Sequence, residues 1–396
     1  MHKQKIEKIR SLFRSLGYFL TLGLFGLLTS SLGPVLPDLS SQVSVPIDIV
    51  SIVFSARAFG FFFGSLLCGR LLDKYKSHPL FAVFFLLLSL ATIYLPFSTT
   101  IWLLVSGVFL QGICLGFLVV GASTLLVWEH SDNPGPWLNT QGFINGLGGF
   151  LSPLFISAAI ARKGSYAFSF WFYGAIACIL AAFFLFFRSP NIRESEIEET
   201  KTDISNKKGI IFWMAVIFLL YVGAEVSFNS WIFTIATTSY SFSADHGRLL
   251  NSVFWGSMAI GRVIGIPLSK KIRDHRMILF AFTGSIISLL ISVLLPHLSA
   301  ILWVSTIGMG LFMATIFSSL LMYTENQLSL TGKKTGIFFS ATSIGGMLLP
   351  WISGQVFTLF SPQAVKCVVL GSLIIGFGLF LYVKKQSPIN ISNYLD

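Results

Sequence analysis

The sequence predicts an all-α membrane protein of twelve transmembrane helices in two pseudo-symmetric six-helix bundles. Three observations lead there. The 396 residues are 54% hydrophobic and only 11% charged, against roughly 25% charged in an average soluble domain. The chain divides into twelve apolar stretches, each long enough to supply the about 20 residues that a bilayer crossing needs. Landmarks of the first six stretches recur, in order, in the last six.

The spans are expected at roughly 16–37, 48–72, 79–98, 101–128, 137–161 and 166–187, then 210–238, 246–270, 276–296, 300–323, 334–360 and 363–384. Most joining loops are short. The long polar connection runs from Arg188 to Lys208, and its composition reads as a solvated tether. It divides the chain into an N-terminal bundle (1–187), a cytoplasmic linker (188–209) and a C-terminal bundle with a short tail (210–396). The basic start, Met1 to Arg14, leads into an apolar run long enough to span, so no cleavable leader is expected.

Charge placement orients the spans. With both ends on one side, that side collects 21 of the 27 Lys and Arg residues, the other side holds Arg162, Lys163, Arg248 and Lys366, and Arg57 and Arg262 fall within spans. The positive-inside rule then puts both termini in the cytoplasm of a multi-pass protein of the inner or plasma membrane. The net charge of +11 is thus a topology signal, and nucleic acid is not an expected partner; the lipid bilayer is.

The repeat is parallel, because each half has six spans. Gly60 and Gly64 followed by Asp73 recur as Gly261 and Gly265 followed by Asp274, with a constant offset of 201. In span 5, Gly148-Gly149-Phe150-Leu151-Ser152-Pro153 recurs in span 11 as Gly345-Gly346-Met347-Leu348-Leu349-Pro350, offset 197. Spans 4 and 10 both end on an aromatic followed by an acid, at Glu129 and Glu325. The glycines suit close helix packing.

Enzyme chemistry finds no footing. Cys68, Cys114, Cys178 and Cys367 are scattered singly with no CxxC spacing, and the histidines sit at segment ends without an HExxH pair. Neither a disulfide framework nor a metal site is expected.

Glu225 carries the most chemistry. It lies deep in span 7, in Tyr221-Val222-Gly223-Ala224-Glu225-Val226-Ser227-Phe228-Asn229. A carboxylate in a bilayer is costly and marks a functional site by default. Helical spacing puts Tyr221, Glu225 and Asn229 on one face. An aromatic, an acid and an amide suit a polyhydroxylated solute or a coupling cation. Other polar residues in spans have two readings each. Arg57 pairs with Asp38 or faces a cavity. Arg262 neutralises Glu225 or makes a structural ion pair. Gln111 and Gln141 bond neighbouring helices or a solute. Asn251 and Trp255 form an i, i+4 pair; Trp231, Trp255 and Trp351 stack on a ligand ring or anchor at the interface.

Gly69-Arg70-Leu71-Leu72-Asp73-Lys74-Tyr75-Lys76, after span 2, resembles the GxLxDRxGRR loop of the major facilitator superfamily. The resemblance implies a gate latch at Gly69, Asp73 and Lys74. Lys76 departs from the pattern at its second glycine. Two signatures of drug exporters are missing: Val108 stands where RxxQG carries its arginine, and span 5 lacks the GP-containing glycine run. The stretch around Glu225 closely resembles the fucose permease branch, with its sodium-dependent glucose transporters. Leu32 to Leu39, Leu138-Asn139, Asn145 to Gly148 and Glu325 to Lys333 extend the resemblance over much of the chain.

That resemblance implies a hexose-like substrate, with Asn145 in the central cavity. It also exposes two departures, because relatives carry acids where Gly33 and Val119 stand here. Glu225 is then the remaining candidate for coupling. The expected protein is a secondary active or facilitative transporter of a sugar or similar small solute, working as a monomer by alternating access. Glu225, Asn145, Asn229, Tyr221, Gln141 and Trp255 would bind solute, and Glu225 would bind Na+ or H+; no cofactor or metal is expected. The alternatives are an exporter of amphipathic compounds and, behind it, a non-transporting solute sensor.

Overall fold

The computed structural model describes residues 2–72, 74–130, 135–187, 189, 208–269, 271–328 and 332–386. Twelve helical segments are long and apolar enough to cross a membrane. In the first six crossings, α1 (His2–Thr29) continues into α2 (Leu32–Val43), and α3 (Ile47–Val50) into α4 (Ile52–Leu72). Then come α5 (Ser77–Tyr94), α6 (Ile101–Glu129), α7 (Gly135–Lys163) and α8 (Ala167–Phe186). The last six are α9 (Lys208–Ser239), α10 (Ala244–Ser269), α11 (Asp274–Leu294), the pair α12 (Ser299–Met313) and α13 (Ile316–Leu328), α14 (Gly332–Leu359) and α15 (Ala364–Gln386). An even number of crossings brings both chain ends to one face, called here the terminal face.

The first crossing departs from the uninterrupted span expected over 16–37. The helix stops at Thr29 and restarts at Leu32. Pro34 explains the break: its ring would collide with the carbonyl of Ser30, four residues back, and it has no amide hydrogen to give. The carbonyls freed at the end of α1 find other donors. Arg57 of α4 donates from Nη1 to the Leu28 oxygen at 2.8 Å and from Nη2 to the Thr29 oxygen at 3.1 Å. Ser31 Oγ donates to Leu28 as well, at 2.8 Å. Arg57 therefore meets neither expectation set for it. It does not bond Asp38, and its fork is spent on two adjacent carbonyls, a geometry that the planar guanidinium fits.

Packing repeats between the halves. In α7, Gly148 sits on the Gly23 backbone of α1; in α14, Gly345 sits on the Leu219 backbone of α9. Likewise Gly60 and Gly64 of α4 lie against Phe109 and Ile113 of α6, and Gly261 of α10 lies against Leu311 of α12. The first crossing packs on the fifth as the seventh packs on the eleventh, and the second on the fourth as the eighth on the tenth. At Gly26 a Cβ would run into the Asn145 carbonyl, so only glycine lets α1 and α7 approach this closely.

The buried apolar residues fall into three clusters. One draws only on Tyr18 to Phe184 and another only on Met214 to Val383. The third mixes Leu36, Val53 and Phe54 with Trp231, Ile235 and Val365, toward the face away from the chain ends. There Ser55 Oγ donates to the Met347 oxygen at 2.7 Å, and Phe54 meets Trp231 with ring centroids 6.5 Å apart. The first six and last six crossings are thus joined on the far face and along α7 and α10.

Candidate functional site

No proline interrupts α9, so its polar residues stay in helical register. The Tyr221 hydroxyl lies 2.6 Å from Glu225 Oε2 and 3.0 Å from the Met313 carbonyl oxygen, with one proton to give. Met313 ends α12, so its carbonyl lacks a helical partner. Tyr221 is buried and Glu225 half-buried. The tyrosine supplies a charge-assisted bond to a carboxylate that would otherwise sit unpaired among apolar helices, at a cost of several kcal/mol.

Arg262 does not pair directly with Glu225 as one expectation had it. Its Nη1 donates to the Gly142 oxygen of α7 at 2.6 Å, and Nη2 lies 3.5 Å from Met258 Sδ. Gly142 has no side chain, so the guanidinium can reach its carbonyl. The Arg262 charge still acts on both Glu225 and Tyr221. It links the carboxylate to the part of α7 where Gln141 and Asn145 stand one helical turn apart.

Those two amides carry open valences. Gln141 is buried and its Oε1 accepts from Ser123 Oγ at 3.0 Å. Its Nε2 and Asn145 Oδ1 are buried without a hydrogen-bond partner among the described residues. Buried polar atoms are nearly always bonded, so an orphan acceptor and an orphan donor on one helix face need a reason.

Asn229 and Trp255 are arranged otherwise. Trp255 Nε1 donates to Asn229 Oδ1 at 2.6 Å, and Asn251 Nδ2 donates to the Asn229 carbonyl oxygen at 2.8 Å. Ser30, at the break in the first crossing, donates to Asn251 Oδ1 at 2.8 Å. The Trp255 indole packs on Gly149 of α7. Asn229, Asn251 and Trp255 are all buried. They form a bonded plug between the halves, and Asn229 and Trp255 are not free to meet a solute in this conformation.

The remaining candidates are scattered. Trp231 is fully buried and donates to the Pro350 oxygen at 2.9 Å; Gln111 bonds Thr92 at 3.1 Å. Trp351 is exposed. Gly69 and Lys74 are exposed, and among the described residues nothing lies within 4 Å of a Cβ on Gly69. Asp73 and nearly all of the linker lie outside the described residues. Among those residues no cluster fit to hold a metal ion occurs.

Arg248 and Lys366, counted toward the side away from the chain ends, are both buried. Arg248 lies over the Phe233 ring and its charge reaches Asp38, beyond the first crossing. Burial raises the Asp38 pKa above its ordinary value, and Arg248 opposes that rise only in part.

A family model described as "Major Facilitator Superfamily" matches residues 18–350. The chain belongs to this superfamily. It is 27% identical over 373 residues to the sodium-dependent glucose transporter 1A of Mus musculus, a match covering 85% of this chain and 88% of that one. The human sodium-dependent glucose transporter 1 is also 27% identical, over 84% of this chain and 71% of the relative. Among solved structures, the nucleoside transporter NupG superposes with a TM-score of 0.74 at 15% identity, covering 95% of this chain and 99% of the other. That likeness shows the shared fold. This major facilitator is a membrane transporter and not an enzyme.

Proposed function

We propose that the protein moves a sugar or similar polyhydroxylated small solute across the cytoplasmic membrane by alternating access. Both termini lie in the cytoplasm, as the distribution of Lys and Arg favours. The two units of six crossings rock about a central site. Contacts between the halves on the far face, besides those along α7 and α10, support a conformation open toward the cytoplasm.

One observation carries the reading. Arg262 is bonded to α7 beside an unpartnered acceptor on Asn145 and an unpartnered donor on Gln141, and its charge acts on the Tyr221–Glu225 pair of α9 without a direct bond to it. A polyol hydroxyl both donates and accepts, so it complements that pair. Glu225 binds the coupling cation or the solute hydroxyls. The relatives' name, sodium-dependent glucose transporter, favours Na+ over H+ and a hexose as first probes. Gly69, Asp73 and Lys74 serve the cytoplasmic gate, and one chain suffices for transport.

The test is uptake of labelled hexoses into proteoliposomes under imposed sodium or proton gradients. Uptake that depends on one gradient and fails in Glu225→Gln supports the proposal. A folded protein that takes up no hexose or polyol under either gradient refutes it.

A further inference from the structure

Two neighbouring residues of α10 meet the first six crossings at the plug. Asn251 Oδ1 accepts from Ser30 Oγ, at the break between α1 and α2, at 2.8 Å. One turn on, the Trp255 indole covers Gly149 of α7 so closely that a Cβ there would stand 2.5 Å from its Cδ2 and 2.6 Å from its Cγ. Ser30 and Asn251 are 0% exposed. Among the described residues Asn251 Oδ1 accepts from Ser30 alone.

The remaining bonds of Asn251 and Trp255 stay within the last six crossings. Asn251 Nδ2 donates to the Asn229 carbonyl oxygen at 2.8 Å, and Trp255 Nε1 to Asn229 Oδ1 at 2.6 Å. Parting of the halves therefore leaves both side chains oriented by α9, with an acceptor and an indole face newly bare. A buried acceptor that loses its donor needs another. What the first half had offered is one hydroxyl beside a patch of C–H with no side chain. A sugar ring offers the same two things, a hydroxyl to donate and a C–H face for an aromatic plane. The pair also adjoins the solute site. Gly149 stands one turn beyond Asn145, and Asn229 one turn beyond Glu225, roughly 6 Å along either helix.

Given the sugar reading above, we propose that Asn251 and Trp255 form a further solute subsite, open when the far side is open, and that Ser30 and Gly149 displace the solute from it on closure. Asn251 Oδ1 accepts from a hydroxyl of the ring, and the C–H face of the ring lies on the indole. The Ser30 hydroxyl then takes the place of the solute hydroxyl, and Gly149 that of the ring. The solute leaves toward the cytoplasmic opening because the protein carries its own substitute for it.

The probe is labelled glucose, bound at equilibrium to the purified full chain in detergent with sodium present. The two sides of the contact should respond differently. Ser30→Ala removes a competitor and should tighten binding roughly fivefold, the worth of one neutral hydrogen bond. Gly149→Ala, whose Cβ crowds the indole, should tighten it too. Asn251→Ala and Trp255→Phe remove a solute contact together with the closing contact, so neither should bind glucose more tightly than wild type. Each side has two variants, so one that does not fold leaves the comparison standing. Tightening by variants of both sides overturns the inference, because contacts that only held the halves closed would all act alike. Tightening by neither Ser30→Ala nor Gly149→Ala overturns it as well. Wild type that binds no glucose overturns it together with the hexose reading on which it rests.

Discussion

The first and seventh crossings occupy equivalent places, each packed through small residues on the helix four crossings later. Gly26 faces α7 as Gly223 faces α14, and these glycines are 197 residues apart. By that offset, Tyr221, Glu225 and Asn229 correspond to Leu24, Leu28 and Leu32, which are all buried. One crossing carries the polar stripe and runs unbroken; its counterpart is apolar and broken at Ser30 and Ser31. Pseudo-symmetry of the backbone therefore does not extend to the chemistry. The half with a polar stripe on its first helix and the half that bends at its first helix are different halves.

Six substitutions probe that asymmetry. Arg57→Met takes a charged donor from the carbonyls of Leu28, which keeps Ser31, and Thr29, and should cost about 3 kcal/mol of stability, two bonds to a charged donor. Its Tm in detergent measures this, and Arg57→Lys should recover less than half, since an ammonium lacks the fork. A Tm within a degree of wild type would mean that the break needs no peg. Glu225→Gln should lower solute uptake by tens of fold, the worth of about 2 kcal/mol in a charge-assisted contact, while leaving Tm nearly unchanged. Leu28→Gln, its equivalent, should do the reverse, because an amide there finds only packing. If both variants lose uptake at unchanged Tm, the asymmetry is wrong.

Tyr221→Phe removes the bond to Glu225 and should reduce uptake about fivefold, near 1 kcal/mol. The smallest effect is expected at Asp38, whose counterpart by the same offset is the buried Ile235. The Asp38 pKa is raised by burial, so the folded protein prefers this carboxyl protonated. Its contribution to stability is full below the ordinary aspartate range and is lost as pH rises through the elevated value. Asp38→Asn should therefore match or slightly exceed the wild-type Tm at neutral pH, with the gap closing in acid. A lower Tm at neutral pH would show that the attraction to Arg248 outweighs burial.

How much of this is readable in the chain depends on range. The twelve crossings, the repeat and the Tyr221–Glu225 register follow from composition and helical period, which act locally. Span 7 could be read because a helix without proline keeps its spacing. The break in span 1 was also within reach, since Gly33-Pro34 stands in an apolar run, but hydropathy alone reads through it. The partners of Arg57, Arg262 and Lys366 could not be read. Each joins residues from different crossings: Leu28 with Arg57, Gly142 with Arg262, Ser292 with Lys366. A lysine next to a loop is charge-counted the same way whether it points to water or into the bundle. Asn229 and Trp255 show the same limit, because their mutual bond depends on how two neighbouring helices are rotated.

The break in the first crossing has a mechanical meaning. Beyond it, Gly33 of α2 lies against the backbone of Ser230 in α9, and Leu32, Leu36 and Leu39 share a core with Trp231 and Ile235. The segment Leu32–Val43 thus packs on the other half of the molecule, while Gln42 donates to the Leu95 and Ser98 oxygens of its own half. Rigid bodies are defined by what moves together. By that measure Leu32–Val43 belongs to neither half alone, and it bridges the two beyond the break at Ser30 and Ser31. A transporter so built carries, within its first crossing, a clasp shared by both of its halves.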